Sequence, residues 1–325
     1  MYLWELADLA TPWSVFVVAT LRIADHIEAG ITDIQQLAAK SRANADSLHR
    51  VMRQLVEKGV FEEPAPGQFQ LNDFARQLLG PGRIGFDLEG FGGRMIHAWS
   101  TMLTAVRTGK PAYHEVFGRS YWEDLEAHPD IAAQFDDMMG PAGHGTPDPE
   151  VLLNPADWQK IQTVVDVGGG TGALLAEVLR VHPHLRGILV DLPRTVARSR
   201  EIFEPSGVAD RVTTSAQSFF DPLPAGHDLY LLKSVLVDWP DGEVQRILTR
   251  CAEAARPNGR VVIVSGVQPG EQASPELLML VLVGGKQRSL AEFRTLAGTA
   301  GLEVTAAAPN PNGRFQVECH CGAGW

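Results

Sequence analysis

Asp166-Val167-Gly168-Gly169-Gly170-Thr171-Gly172 places an acid and a run of glycines where an apolar segment gives way to a helical one. Glycine accepts φ values that other residues resist, so a ligand can press there against bare backbone at the start of a helix. Gly168, Gly170 and Ala173 fit the alanine-ending form of the dinucleotide fingerprint, a pattern too short to name a ligand by itself. Asp191 ends the next apolar run about twenty residues on, the position from which a carboxylate accepts from two ribose hydroxyls. Gln217-Ser218-Phe219-Phe220-Asp221 follows a third strand-like segment, and an aromatic beside a small polar residue suits stacking and edge contact with adenine. The plain alternative is strand-to-loop core with no ligand. Acid, glycines and second acid in this order imply a nucleoside with free ribose hydroxyls.

These residues need a scaffold, and the second half of the chain supplies an alternating one. Segments at 163–167, 187–191, 211–214, 227–232 and 259–264 read as strands, most of them rich in apolar residues. Helical patterns at 173–181, 195–203 and 244–255 lie between them. Strands alternating with helices predict an α/β fold with a parallel, doubly wound sheet, whose ligands bind at the carboxyl ends of the strands.

The first half reads differently. Asp33 precedes a capped amphipathic helix over residues 34–38. Leu48, Val51, Met52 and Leu55 then recur at i, i+3, i+4 and i+7, and Gly59 stops that helix. Two short strands flank Pro64-Ala65-Pro66-Gly67, which completes the helix, helix, hairpin order of a winged helix. Such a helix can enter a DNA major groove. Here Lys40, Arg42, His49, Arg50 and Arg53 form only a modest basic group within a chain of net charge −11, so packing or dimerisation is the expected role.

Composition narrows the classes further. A chain of 325 residues with 45% hydrophobic residues can bury the cores of two domains. Its acidity disfavours nucleic acid and anionic membrane surfaces as partners. Residues 1–10 carry Glu5 and Asp8 with no basic segment before an apolar stretch, and the run from Trp13 to Leu21 is too short to span a bilayer. That run is expected to be one buried helix, and the chain to be cytoplasmic. Three cysteines, Cys251, Cys319 and Cys321, are too few for a disulfide framework. Cys319-His320-Cys321 is expected to bind no metal, since neighbours on one strand point to opposite faces. Between the two halves, Trp99, Met102, Leu103 and Val106 form one stripe and Tyr113, Phe117, Tyr121 and Trp122 cluster after Pro111. Both groups suit core, or the wall of a pocket for a flat apolar ligand.

Five ordered segments carry a resemblance. They are Val165 to Gly172, Leu192-Pro193 after Asp191, Ser218-Phe219-Phe220-Asp221-Pro222, Leu232-Lys233-Ser234-Val235-Leu236 with Asp238-Trp239, and Gly284-Gly285-Lys286 with Arg288-Ser289-Leu290. Together they resemble the small-molecule O-methyltransferases that use S-adenosylmethionine, especially bacterial ones that tailor aromatic polyketides. The resemblance implies a Rossmann-like catalytic domain, an N-terminal winged-helix-like dimerisation domain and a homodimer. It implies that Gly168 and Gly170 approach the methionine end of S-adenosylmethionine (or S-adenosylhomocysteine), that Asp191 holds the ribose, and that Phe219 neighbours the adenine. Ser218 stands where relatives usually carry an acid for the adenine, and Lys233 matches a lysine beside the cofactor. The expected divisions are residues 1–92 for dimerisation, 93–157 for a helical linker and acceptor-pocket segment, and 158–325 for the cofactor-binding domain.

The resemblance also exposes a loss. Where relatives carry a histidine that acts as general base, this chain has Val237, and the two acids that orient that histidine are replaced by Ser265 and Gln287. Valine takes no proton, so a contribution of ~10²–10⁴-fold is missing from that place. Methyl transfer to a hydroxyl of an aromatic or polyketide-type product can still proceed by proximity and orientation. The alternatives are a non-methylating enzyme that retains the cofactor for a cyclisation, rearrangement or decarboxylative step, and a dimeric pseudoenzyme. His97 and His144, in segments that line the acceptor pocket of relatives, are the candidate replacement bases, followed by Asp136 and Asp137. Asp238 reads as structural support.

Overall fold

A computed structural model describes residues 2–139, 152, 155–309 and 315–322, and the chain divides into two units, Met1–Trp99 and Ser100–Trp325. In the first unit, the Asp33 carboxylate accepts from the N–H groups of Gln35 and Gln36 and starts the helix Ile34–Ser41. Asn44 does the same for Ala45–Glu57 through the Ser47 N–H. That second helix buries Leu48, Met52 and Leu55, and Gly59 at φ +74° follows its end. Strands β1 (Phe61–Ala65) and β2 (Gln68–Leu71) pair antiparallel, with Phe61 opposite Leu71. Ala65 pairs with Gln68, so the turn is Pro66-Gly67, tighter than the four-residue one expected.

The apolar run Trp13–Leu21 corrects an expectation. It lies in a helix, Ala10–Thr20, but only Ser14, Val18 and Ala19 of it are buried, and Trp13 is 40% exposed. The sequence there is apolar on every side, so packing against Ala45–Glu57 covers one face and leaves another in solvent. The stripe that follows the first unit behaves similarly, with Leu103 and Val106 exposed.

Among the described residues of the second unit, seven strands form one sheet. Its order is Leu302–Pro309, Phe315–Cys321, β7 (Arg260–Val264), β6 (Leu229–Lys233), β3 (Thr163–Val167), β4 (Arg186–Asp191) and β5 (Val212–Ala216). The five strands β3 to β7 are parallel, as expected of a doubly wound sheet. The terminal hairpin adds two antiparallel strands, Val317 pairing with Ile263 and Cys319 with Val261. Alternate residues feed two cores: Val165, Val167, Tyr230 and Ile263 pack on one face, and Val164, Leu189, Leu231 and Val262 on the other. Covering both faces explains why the central strands β6 and β7 read as apolar runs, whereas the edge strand β5 is largely exposed and reads Val-Thr-Thr-Ser-Ala.

The helical pattern at 195–203 is two short helices, Pro193–Ala197 and Arg200–Phe203. Cys251 and Cys319 share one core, while His320 sits 2.9 Å from Glu318 Oε1. Among the described residues no cluster of three or more potential metal ligands is assembled, and no helix is long and apolar enough to cross a membrane. The strand order reverses at β3, which lies between β4 and β6, and a crevice opens beyond their carboxyl ends.

Candidate functional site

The glycine turn between β3 and the helix Ala173–Val181 has a left-handed backbone at Gly168, Gly170 and Gly172, with φ of +67°, +61° and +89°. A Cβ on Gly168 would stand 2.9 Å from Val235 Cγ2 and 3.4 Å from the Phe219 ring, so the turn is closed on that side. A Cβ on Gly170 would meet nothing within 4 Å. The Gly170 N–H donates to Asp191 Oδ2 at 2.8 Å, and the Leu192 N–H donates to Oδ1 at 2.7 Å. Asp191 thereby ties its own loop to the glycine turn, and each carboxylate oxygen keeps a further lone pair.

Gly168, Gly170, Asp191, Ser218, Phe219 and Lys233 all line one cavity within the second unit. Sequence order singled out five of these six together with Asp166, which shares the wall, and Lys233 followed from the resemblance; folding adds Trp122, Asp238 and Trp239. The Trp122 and Trp239 rings stack at 5.8 Å, and Phe219 and Phe220 meet the Trp239 ring edge-on at 5.8 Å and 4.9 Å. Of the aromatic cluster expected after Pro111, Tyr113 and Tyr121 pack edge-on at 5.5 Å and Tyr121 and Trp122 at 5.1 Å.

The polar lining is weighted toward acids. Burial, with the Asp191 charge adding to it and Lys233 opposing, pushes the Asp166 carboxyl up to about 7. Burial raises Asp191 to about 6 against the two N–H bonds that favour its charged form, and burial alone raises Asp238 to about 7. Asp166 Oδ2 is buried without a hydrogen-bond partner. A buried acceptor with nothing donating to it, beside further raised carboxyls, suits a ligand that brings donors and positive charge. S-adenosylmethionine, with an ammonium, a sulfonium and two ribose hydroxyls, fits that demand.

The raised acids bear on stability. A carboxyl whose pKa rises on folding stabilises the fold below its unfolded value, and that contribution is lost as pH climbs through the folded value. The ligand-free chain is therefore expected to lose stability between about pH 4 and pH 7, by up to ~1.4 kcal/mol per pH unit for each such group. Chemical denaturation across that range checks this, and Asp166→Asn should flatten the slope.

The replaced catalytic set lies elsewhere. Val237 sits in the 3₁₀ turn Leu236–Asp238, Ser265 follows β7 at φ +68°, and Gln287 Nε2 lies 3.5 Å from Glu276 Oε1; none of them lines the cavity. His97 belongs to the first unit, in the helix Phe91–Ala98, with its ring 5.7 Å from that of Trp13. His144 is outside the described residues. Asp136 does line the cavity, yet it pairs with Arg194 at 3.0 Å and Arg198 at 3.5 Å, and Asp137 pairs with Arg198 at 2.9 Å.

Sequence reasoning passed over Arg288, whose side chain is fully buried. Its guanidinium donates to the carbonyls of Leu236 at 2.9 Å, Lys286 at 3.1 Å and Trp239 at 2.7 Å, and to Asp241 Oδ1 at 2.9 Å. Gly285 lies against the same turn so closely that a Cβ there would stand 2.1 Å from the Val237 carbonyl oxygen. The turn bearing Asp238 and Trp239 is thus held from behind. The signal was Arg288 within the Gly284-Gly285-Lys286 motif, but sequence alone gave no sign of what it grips.

Comparison with known proteins accords with this geometry. Residues 99–303 match the O-methyltransferase domain family, and residues 4–81 match the O-methyltransferase dimerisation domain. A 2,7-dihydroxy-5-methyl-1-naphthoate 7-O-methyltransferase of Streptomyces carzinostaticus is 42% identical over 310 residues, covering 94% of this chain and 93% of that protein. The aclacinomycin 10-hydroxylase RdmB of Streptomyces purpurascens is 36% identical over 319 residues, covering 93% of this chain and 84% of that protein. Among solved structures, the O-methyltransferase NcsB1 from neocarzinostatin biosynthesis, in complex with S-adenosylmethionine and 2-hydroxy-5-methyl naphthoic acid, has a TM-score of 0.88. It is 39% identical, and the match covers 99% of both chains. With its glycine turn, its buried acids and these matches over nearly its whole length, the chain belongs to the S-adenosylmethionine-dependent O-methyltransferase family.

Proposed function

We propose that this protein transfers the methyl group of S-adenosylmethionine to a hydroxyl of an aromatic or polyketide-type natural product. The observation that carries the reading is that Gly168, Gly170, Asp191, Ser218, Phe219 and Lys233, drawn from four separate segments, line one cavity whose buried Asp166 oxygen has no partner. Asp191 holds the ribose hydroxyls through its remaining lone pairs. Phe219 packs on the adenine and Ser218 contacts its edge, while Gly168 and Gly170 leave backbone open to the methionine end and Lys233 lies beside it. Once bound, S-adenosylmethionine supplies an electrophilic methyl group. The protein's part is to orient the acceptor hydroxyl and exclude water, with Trp122 and Trp239 as an apolar wall suited to a flat ring.

The remaining parts of the reading are a dimerisation domain over residues 1–92, an acceptor-pocket segment over 93–157 and a cofactor-binding domain over 158–325, assembled as a homodimer in the cytoplasm. The dimerisation-domain match and the exposed apolar side chains of Trp13, Leu103 and Val106 support the homodimer. Three free cysteines accord with a reducing compartment.

Purified protein given S-adenosylmethionine and 2,7-dihydroxy-5-methyl-1-naphthoate is expected to form S-adenosylhomocysteine and a methyl ether one for one. A changed product formed with no methyl donor consumed would overturn methyl transfer in favour of non-methylating chemistry.

A further inference from the structure

Val237 leaves the family's histidine position without a proton acceptor, yet the next residue is an acid on the cavity wall. Asp238 comes from the 3₁₀ turn Leu236–Asp238 and shares that wall with Gly168, Lys233 and the stacked Trp122 and Trp239 rings. No hydrogen bond to its carboxylate is found among the described residues, and its oxygens are not sealed in the core. The carboxylate is therefore open to whatever enters the cavity. Its backbone, by contrast, is gripped: Arg288 holds the carbonyls of Leu236 and Trp239 on either side, and Gly285 presses on the turn from behind. A polar group fixed in place and left unpartnered in an apolar setting is arranged for a ligand.

We propose that Asp238 takes the proton of the acceptor hydroxyl in place of the missing histidine, an inference that rests on the methyl-transfer reading above. In the balanced step the acceptor O–H bond breaks and its proton passes to an Asp238 oxygen. The freed oxygen pair bonds the methyl carbon, and the carbon–sulfur pair stays on sulfur as a neutral thioether. One negative and one positive charge disappear together, a change that a dry cavity favours.

The charged and titratable groups around Asp238 leave it this role. Arg288 and Asp241 lie behind the turn and bond each other. Asp166, Asp191 and Lys233 stand at the strand ends on the same cavity. Tyr121 faces it most directly: burial first, and then the charge of Asp238, push the Tyr121 hydroxyl up. Burial holds Asp238 near 7, so it is ionised above neutrality and returns to its acid form when it gains a proton.

The test uses the full chain with 2,7-dihydroxy-5-methyl-1-naphthoate as acceptor, in wild type and Asp238→Asn. The expected result is a kcat lowered by ~10²–10⁴-fold, with the rise of wild-type rate through about pH 7 absent from the variant. A second readout needs no turnover. In wild type the preference for S-adenosylmethionine over its neutral product S-adenosylhomocysteine should grow as Asp238 ionises, and Asp238→Asn should reduce that growth, leaving the share that Asp166 and Asp191 contribute. A variant that keeps its kcat and its pH profile overturns the proposal, as does a wild-type preference that is flat with pH. Should Asp238→Asn fail to fold, Asp238→Glu is expected to keep the pH dependence at reduced kcat, and loss of that dependence counts against the proposal. Wild type that binds S-adenosylmethionine and never methylates the naphthoate refutes the functional reading instead, and the binding comparison still judges Asp238.

Discussion

Asp191→Ala is expected to weaken S-adenosylmethionine binding by roughly 100-fold or more while leaving the protein folded. The carboxylate does two jobs. It accepts from the Gly170 and Leu192 N–H groups and so sets the shape of the glycine turn, and its spare lone pairs face the cavity. Hydrogen bonds to a charged group are worth about 1.5–3 kcal/mol each, so losing two from a bound nucleoside accounts for a change of that size. The folded state suffers less, because burial already penalises the charged form of Asp191 and alanine relieves that penalty. Titration calorimetry, with a thermal melt as the control for folding, separates the two effects. Asp191→Asn is the sharper variant: its amide nitrogen would face one of the two N–H donors, so it should recover little of the affinity. Binding within about threefold of wild type in Asp191→Ala would remove the ribose assignment.

Arg288→Met is expected to destabilise the second unit strongly while sparing the glycine turn. Methionine has a similar length, but it removes four hydrogen bonds and strands the carbonyls of Leu236 and Trp239 behind the cavity wall. Removing one partner of a buried charged network costs about 3–5 kcal/mol, which for a unit of this size lowers the melting temperature by roughly 10 °C. Burial depresses the Arg288 pKa, with Asp241 countering. Arg288→Lys preserves the charge but presents a compact ammonium in place of a planar fork, so it should recover only part of the loss. The same variants should also raise the Kd for S-adenosylmethionine, since the released turn carries Asp238 and Trp239 into the cavity. A melting temperature unchanged in Arg288→Met would mean that the turn is held by its own packing.

These two residues divide what sequence reveals from what folding reveals. The place of Asp191 on the cavity was legible because it depends on local order: strand, acid, and a fixed distance from a glycine turn, all within one βαβ repeat. Asp33 and Gly59 were legible on similar grounds, since caps and stops act within a turn of helix. Arg288 was not, because its acceptors at Leu236 and Trp239 lie about fifty positions away and meet it only through a fold that places two loops back to back. Trp13 was misjudged because an all-round apolar helix has no periodicity to show which face is covered.

The amino-acid sequence by itself determined the α/β class, the nucleoside-binding order of acids and glycines, and the replacement of the usual base by Val237. The first two are written in residue type and short-range spacing, and the third shows only when the ordered motifs are set beside the family they resemble. Only the tertiary structure decided that the acid next to Val237 lies on the cavity wall, since burial and freedom from hydrogen-bond partners are properties of what surrounds a residue in space. Read along the chain, Asp238 is a polar residue in a turn; among Trp122, Trp239 and Phe219 it is a carboxyl held near neutrality.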